Sequence, residues 1–230
     1  MSEPHPIADD LEAALAGLKA SSEKAATLPA PHSRAPDAVK INEKLEAGGF
    51  PLRHRLALVG APLHGPAMAK ARELLPRIQT GDCILLLVGD RGPGKTQMAT
   101  WLAAQIVEER LKAGSAWSGL YRKTADIITE IKTTWAAGGK AIGTEDDVLR
   151  KYRSVKFLVL DEFHERGSSD WEARTLVNIL DHRYDNMLVT IIIANLTEKQ
   201  LRQEINPSII SRAEETGGLV LCTWPSYRTK

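Results

Sequence analysis

CILLLVGDRGPGKTQ, residues 83–97, decides the fold. It opens with an apolar run about as long as a buried strand. From Gly89 to Thr96 it then satisfies the pattern GxxxxGK[ST], and sequence compatible with a helix follows at once. Each residue type has a job in that order. The glycines let the backbone turn its amides inward around a phosphate chain, Lys95 reaches the terminal phosphates, and the Thr96 hydroxyl helps hold a magnesium ion. Gly89, Asp90, Arg91, Gly92, Pro93, Gly94, Lys95, Thr96 and Gln97 are therefore the candidate nucleotide-binding residues, with ATP and Mg2+ as the cofactors they suit. A chance match in a chain this long is on the order of one in a hundred at ordinary glycine frequency, and the strand-loop-helix context lowers it further.

Outward from this loop, buried-strand runs alternate with helical patterns. The strand candidates are CILLLV (83–88), AWSGLY (116–121), KFLVLD (156–161), LVTIIIA (188–194) and LVLCTW (219–224). Helices are predicted near 95–113, 124–135 and 170–184, with shorter ones after Thr197 and Pro207. Continuous apolar strands separated by helices imply an α/β fold whose parallel sheet is covered on both faces. Ligands of such sheets bind at the carboxyl ends of the strands.

Two further features end at that same edge. FLVLDEF, residues 157–163, is a buried strand terminating in Asp161 and Glu162. Two carboxylates in a sheet that also carries a phosphate loop repel one another unless a cation or water lies between them. Asp161 then belongs to the magnesium shell, and Glu162 orients and deprotonates an attacking water. Asn195 directly follows LVTIIIA, while Thr197 and Gln200 already make a TxxQ capping box for the next helix. Its amide is thus a candidate to hydrogen-bond both the γ-phosphate and that water.

Composition excludes several alternatives. The chain has 230 residues, 43% hydrophobic and 26% charged, with a formal net charge of only +1, so no whole-molecule field favours nucleic acid and any such contact must be local. The apolar runs are far short of a membrane span, and no signal-peptide pattern opens the chain, so a cytoplasmic location is expected. Cys83 and Cys222 lie inside apolar runs and read as packing residues, and the His positions lack metal-site spacing, so no structural zinc is expected. At the N-terminus, Asp9 and Asp10 can cap a helix whose Leu11, Ala14, Leu15 and Leu18 form a narrow apolar stripe in need of a partner. LPAPHSRAP, residues 28–36, reads as an extended linker, and a short helix through INEKLEAGG stops at Gly48 and Gly49. Residues 1–46 carry five Lys/Arg against eight Asp/Glu, which marks them as a separate acidic module ahead of a domain spanning 47–230.

The order of parts resembles the AAA+ ATPases: phosphate loop, Asp-Glu strand, strand-tip Asn195, then Arg212 on a short helix before a final strand. Within them it is similar to the DnaC-type replicative helicase loaders and the related IstB transposition ATPases. AGGFPLRHR (47–55) is similar to the Gly-x-Pro-x-Arg approach to the ATPase core, KTADIITEIKTTW (123–135) to the helix after the second strand in the loaders, and WPSYRTK (224–230) to a Ser-Tyr-Arg tail of both groups. The resemblance covers roughly residues 47–230. It implies a AAA+ P-loop core with a five-stranded parallel sheet sandwiched by helices, no C-terminal lid domain and a short helical N-terminal appendage. It also implies that Arg212 is an arginine finger reaching the ATP site of an adjacent subunit, so that hydrolysis reports on assembly.

By the same resemblance, the element after the second strand touches single-stranded DNA. Residues 122–156 hold eight Lys/Arg against five Asp/Glu, and Lys123, Lys132 and Trp135 are the candidate contacts. Trp135 also shares a helical face with Ile127, Ile128 and Ile131, which suits a place in the core equally well. The stripe Leu11, Leu15 and Leu18 would grip a hexameric replicative helicase, while Arg183 and Arg228 stay unassigned, with a neighbouring subunit and the nucleotide as the options. The implied function is ATP-dependent loading of that helicase onto single-stranded DNA. The rivals are an IstB-like helper that directs a transposase on duplex DNA, a small-molecule phosphotransferase, and a nucleotide-gated adaptor with negligible turnover.

Overall fold

The computed structural model describes residues 36–58, 64–136, 143–163 and 169–227. The candidate N-terminal helix with Leu11, Leu15 and Leu18, the linker before Pro36, and Arg228 lie outside the described residues. The chain divides into two units, Met1–Val39 and Lys40–Lys230, and the second carries the phosphate-loop motif and the Asp161–Glu162 strand end.

Three helices lead in: α1 (Pro36–Ala47), α2 (Leu52–Ala57) and α3 (Gly65–Gln79). Then follow β1 (Ile84–Val88), α4 (Lys95–Lys112), β2 (Gly119–Lys123), α5 (Thr124–Ala136), α6 (Glu145–Ser154), β3 (Phe157–Asp161), α7 (Asp170–Asp185) and β4 (Val189–Ala194). The chain closes with α8 (Glu198–Glu204), α9 (Pro207–Thr216) and β5 (Gly218–Leu221). The strands form one sheet in the order β2-β3-β4-β1-β5, and every pairing is parallel. This is the α/β architecture expected, a five-stranded parallel sheet with helices on both faces.

Strand period explains the two-sided core. Along β1, Leu85 and Leu87 join Val159, Ile191 and Ile193 on one face, against Ala71, Leu74, Met98 and Leu102 of α3 and α4. Ile84, Leu86 and Val88 face the other way, with Leu158, Leu160 and Ile192, and meet Ile127, Ile131, Leu176 and Ile179 of α5 and α7. Because successive side chains alternate, a strand covered on both faces must be apolar at every position, and all of β1 is at most 2% exposed. Each such burial contributes about 2 kcal/mol.

Several local readings are corrected. β2 begins at Gly119 rather than Ala116, and a Cβ at Gly119 would fall 2.0 Å from the Trp117 ring. Trp117 leaves the strand line to pack on Phe157, 5.4 Å between ring centroids, so its apolar character serves a ring contact instead of a ladder. The final strand ends at Leu221, short of Trp224. Pro36 opens α1 instead of ending a linker, as a proline at a first helical position can. Helix α6 escapes the apolar periodicity reading, although Thr144 and Asp147 form its capping box, and α3 carries Pro76 in its interior.

Arg183 faces neither a neighbour nor the nucleotide. Its side chain is fully buried and donates to Thr190 Oγ1 at 2.8 Å and to the carbonyls of Tyr152, Val155 and Val189 at 2.9, 2.7 and 2.6 Å. Tyr152 and Val155 close the C-terminal end of α6, where the helix dipole favours a cation. Burial pushes the guanidinium down to about 9, still well above neutrality.

Candidate functional site

Val88 lies opposite Ala194, so the loop after β1 and the residue after β4 emerge side by side at the carboxyl edge of the sheet. β3 pairs with β4 on its other side and ends in Asp161, followed directly by Glu162. A cavity of about 460 Å3 opens there. It is lined by Arg91, Gly92, Gly94, Lys95, Thr96 and Gln97 of the loop, by Asp161, Glu162 and Asn195, and by Arg53, His54, Ala57, His64 and Tyr227. The fold thus brings together most of the candidate nucleotide-binding and catalytic residues singled out from the sequence. Gly89, Asp90 and Pro93 belong to the same loop but are not among its lining residues.

Gly94 caps α4 in the left-handed region at φ 89°, which points the helix start, Lys95 and Thr96, at the cavity. Lys95 Nζ donates to the carbonyls of Gly89 and Asp90 at 2.7 and 2.6 Å, which keeps the ammonium on the loop at 4% exposure. Thr96 Oγ1 donates to Asp161 Oδ2 at 2.9 Å. A hydroxyl and a carboxylate side by side are hard oxygen donors, the pair that fits a magnesium ion. Gln97 donates from Nε2 to the His54 carbonyl at 3.1 Å, and its Oε1 lies 2.8 Å from His54 Nδ1, which ties α2 to the first turn of α4. Arg55, two residues beyond the Gly49–Arg53 run that fits Gly-x-Pro-x-Arg, is buried, and it donates to the Phe50 carbonyl, Asn42 and Glu46, locking α2 against α1.

Glu162 adopts φ 55°, an uncommon conformation for a non-glycine residue and one that clusters at functional sites. Its carboxylate pairs with Lys123 at 2.9 Å. That hydrogen bond raises the Lys123 ammonium above its ordinary value. Asn195 stands at the tip of β4, and the cap of α8 is supplied by Thr197 and Gln200.

Tyr121 was not apparent from sequence. Its hydroxyl donates to Asp161 Oδ2 at 2.5 Å, and burial, followed by the Asp161 charge, pushes its pKa up, so it remains a donor at all working pH values. The pairing of β2 with β3 brings it there, and that pairing is not written in local pattern. The cysteines behave as packing residues: burial raises the Cys83 thiol to about 12 and the Cys222 thiol to about 11.

Away from the cavity, Arg212 on α9 pairs with Asp181 of α7, its guanidinium carbon 5.1 Å from the Tyr184 ring centroid. It is not among the cavity's lining residues. The candidate DNA contacts are distributed along β2 and α5. Lys123 is engaged with Glu162, and Lys132 pairs with the buried Glu172 at 2.6 Å, so either must leave a carboxylate to meet a phosphate. Trp135 is half exposed, unlike the buried Ile127, Ile128 and Ile131, which corrects the core reading of that ring. It sits edge-on to Trp171 at 4.7 Å and donates to Glu145 at 2.7 Å. Among the described residues no helix is long and apolar enough to cross a membrane.

Residues 75–213 match the model of a family described as IstB-like ATP binding protein. Among curated proteins, the replicative helicase loaders DnaC from two Buchnera aphidicola subspecies, of Acyrthosiphon pisum and of Schizaphis graminum, are each 26% identical over 141 residues. Those matches cover 61% of this chain and 54% of each relative, so the chain spans about half the length of the curated relatives it matches. Among solved structures, a DnaC helicase loader aligns with a TM-score of 0.56 at 22% identity, over 74% of this chain and 99% of that one. A DnaI structure aligns at 0.55 and 21%, over 74% and 88%, and AMPPCP-bound DnaA from Aquifex aeolicus at 0.55 and 21%, over 69% and 47%. At these identities the structural likeness speaks for the fold.

Proposed function

Because the chain belongs to the family of IstB-like ATP-binding proteins, we propose that it is an ATPase that loads a hexameric replicative helicase onto single-stranded DNA, with each active site shared between two copies. One observation carries this reading: the phosphate loop, the Thr96–Asp161 oxygen pair, Glu162 and Asn195 converge on one cavity, while Arg212 stays off it. The curated relatives named as helicase loaders supply the choice of helicase.

The loop amides and Lys95 bind the β- and γ-phosphates. Thr96 and Asp161 hold a magnesium ion, which neutralises charge on those phosphates when bound. Glu162 orients a water and takes its proton, and Asn195 hydrogen-bonds that water and the γ-phosphate. Arg212 of a second copy supplies the guanidinium that meets the charge spreading over the γ-phosphoryl oxygens. The acidic N-terminal module, residues 1–46, docks on the helicase through Leu11, Leu15 and Leu18. Lys123, Lys132 and Trp135 offer single-stranded DNA a few phosphate contacts and one stacking ring, so binding weakens with salt along a shallow slope. A glutamate set to activate water argues against a small-molecule phosphotransferase, which has to exclude water from the γ-phosphate.

The alternative, a transposition helper on duplex DNA, rests on the resemblance to the IstB ATPases, whose name the matching family carries. Mixing the protein with hexameric replicative helicases and weighing the complexes with ATP present separates the two. A helicase complex that prefers single strands supports loading. A preference for duplex DNA, with no helicase complex, overturns loading in favour of the transposition helper.

A further inference from the structure

The segment after β5 starts on the last rung of the β1–β5 ladder and continues into contacts that neither the sheet nor the catalytic residues account for. The Cys222 N–H donates to the Val88 carbonyl at 2.6 Å, Trp224 Nε1–H to the Pro93 carbonyl at 2.7 Å, and the Tyr227 N–H to the Gly92 carbonyl at 3.0 Å. The Tyr227 hydroxyl donates to the His64 carbonyl at 2.7 Å and accepts from the Ala67 N–H at 3.4 Å, and both Tyr227 and His64 are among the residues that line the cavity.

Peptide geometry gives these contacts a consequence. In a trans peptide the C=O and the following N–H point in opposite directions. Holding the Pro93 carbonyl therefore orients the Gly94 N–H, and holding the Val88 carbonyl orients the Gly89 N–H. A phosphate loop works through the direction of such amides.

Two loop glycines are required by the same contact. A Cβ on Gly92, at φ 107°, would lie 2.0 Å from Ser226 Oγ, and one on Gly89 would lie 2.5 Å from the Cys222 carbonyl oxygen. Their missing side chains make room for the tail as well as for the phosphates.

We propose that residues 222–227 form a strap that presets the phosphate loop, with Trp224 and Tyr227 as positioning residues that govern nucleotide affinity by fixing the loop's peptide planes. The proposal deepens the ATP-binding reading above and rests on it. The strap orients the loop's amides, while hydrolysis remains with Glu162 and its partners.

The test uses W224F, which keeps a ring but loses the donor to Pro93, and Y227F, which loses only the hydroxyl contacts. Hydrogen exchange of residues 89–94 is measured in nucleotide-free protein, together with ATP and ADP affinity, KM and kcat. One lost hydrogen bond predicts, for W224F, loop exchange and ATP and ADP dissociation constants raised roughly 3- to 10-fold, with KM rising by a larger factor than kcat falls. Y227F follows in the same direction with a smaller change. Loop exchange and affinity within twofold of wild type in both variants overturn the strap, as does a fall in Tm without faster loop exchange. If the wild-type protein bound no ATP, the nucleotide reading would fall, and exchange of the loop would still decide whether the strap presets it.

Discussion

Asp161 is the residue on which the site's geometry turns. Its Oδ2 accepts from Thr96 at 2.9 Å and from Tyr121 at 2.5 Å, and its Oδ1 accepts from the Glu162 N–H at 2.7 Å. A carboxylate held by three donors has one orientation, and donors of this kind around a metal-binding carboxylate set its affinity. Tyr121→Phe removes one donor and keeps the ring beside Phe50, whose centroid is 5.8 Å away. It should weaken Mn2+ binding to the ATP-loaded protein roughly tenfold, read by electron paramagnetic resonance. Unchanged Mn2+ affinity would show that Tyr121 does not orient Asp161. Asp161 itself was legible as the last residue of an apolar strand. Tyr121 was not, because β2 offers Leu120, Tyr121 and Arg122 without indicating which of them faces the neighbouring strand's carboxylate.

At the scale of elements, a buried cation closes one helix against another. Arg183 reaches from α7 to the end of α6 and to the start of β4, and its acceptors are all neutral. The carbonyls at the end of α6 supply the negative potential that a carboxylate would otherwise provide. Arg183→Met keeps much of the volume and leaves the carbonyls of Tyr152, Val155 and Val189 short of donors, so unfolding free energy should fall by roughly 3 kcal/mol. Urea denaturation checks this, and a change within about 0.5 kcal/mol, the range of ordinary surface substitutions, would contradict the assigned role. In sequence, Arg183 leaves a neighbouring subunit and the nucleotide as its options. Only the packing of α6 across α7 encloses it, and the short stripe of Val148 and Tyr152 on α6 does not say which helix it meets.

For the whole molecule, one copy holds the phosphate loop, the oxygen pair, Glu162 and Asn195 around a cavity, while Arg212 is held on another face by Asp181 and Tyr184. If that guanidinium serves a neighbour, Arg212→Ala should leave ATP affinity within twofold of wild type and lower turnover about a thousandfold. Turnover per wild-type subunit should rise with protein concentration. Equilibrium binding alongside steady-state phosphate release checks both, and full-rate hydrolysis by a dilute monomer would refute the shared site. The sequence by itself determined the α/β class, the nucleotide loop and the acidic strand end, because short-range spacing encodes them: a run of five apolar residues, eight positions of loop and a strand terminus. Tertiary structure alone decided which side chains meet across the sheet: Tyr121 on Asp161, Lys123 on Glu162, Arg183 under α6, and Trp224 and Tyr227 on the loop. Those partners lie far apart along the chain or on separate elements, and strand order with helix packing, which no local pattern records, brings them within hydrogen-bonding reach.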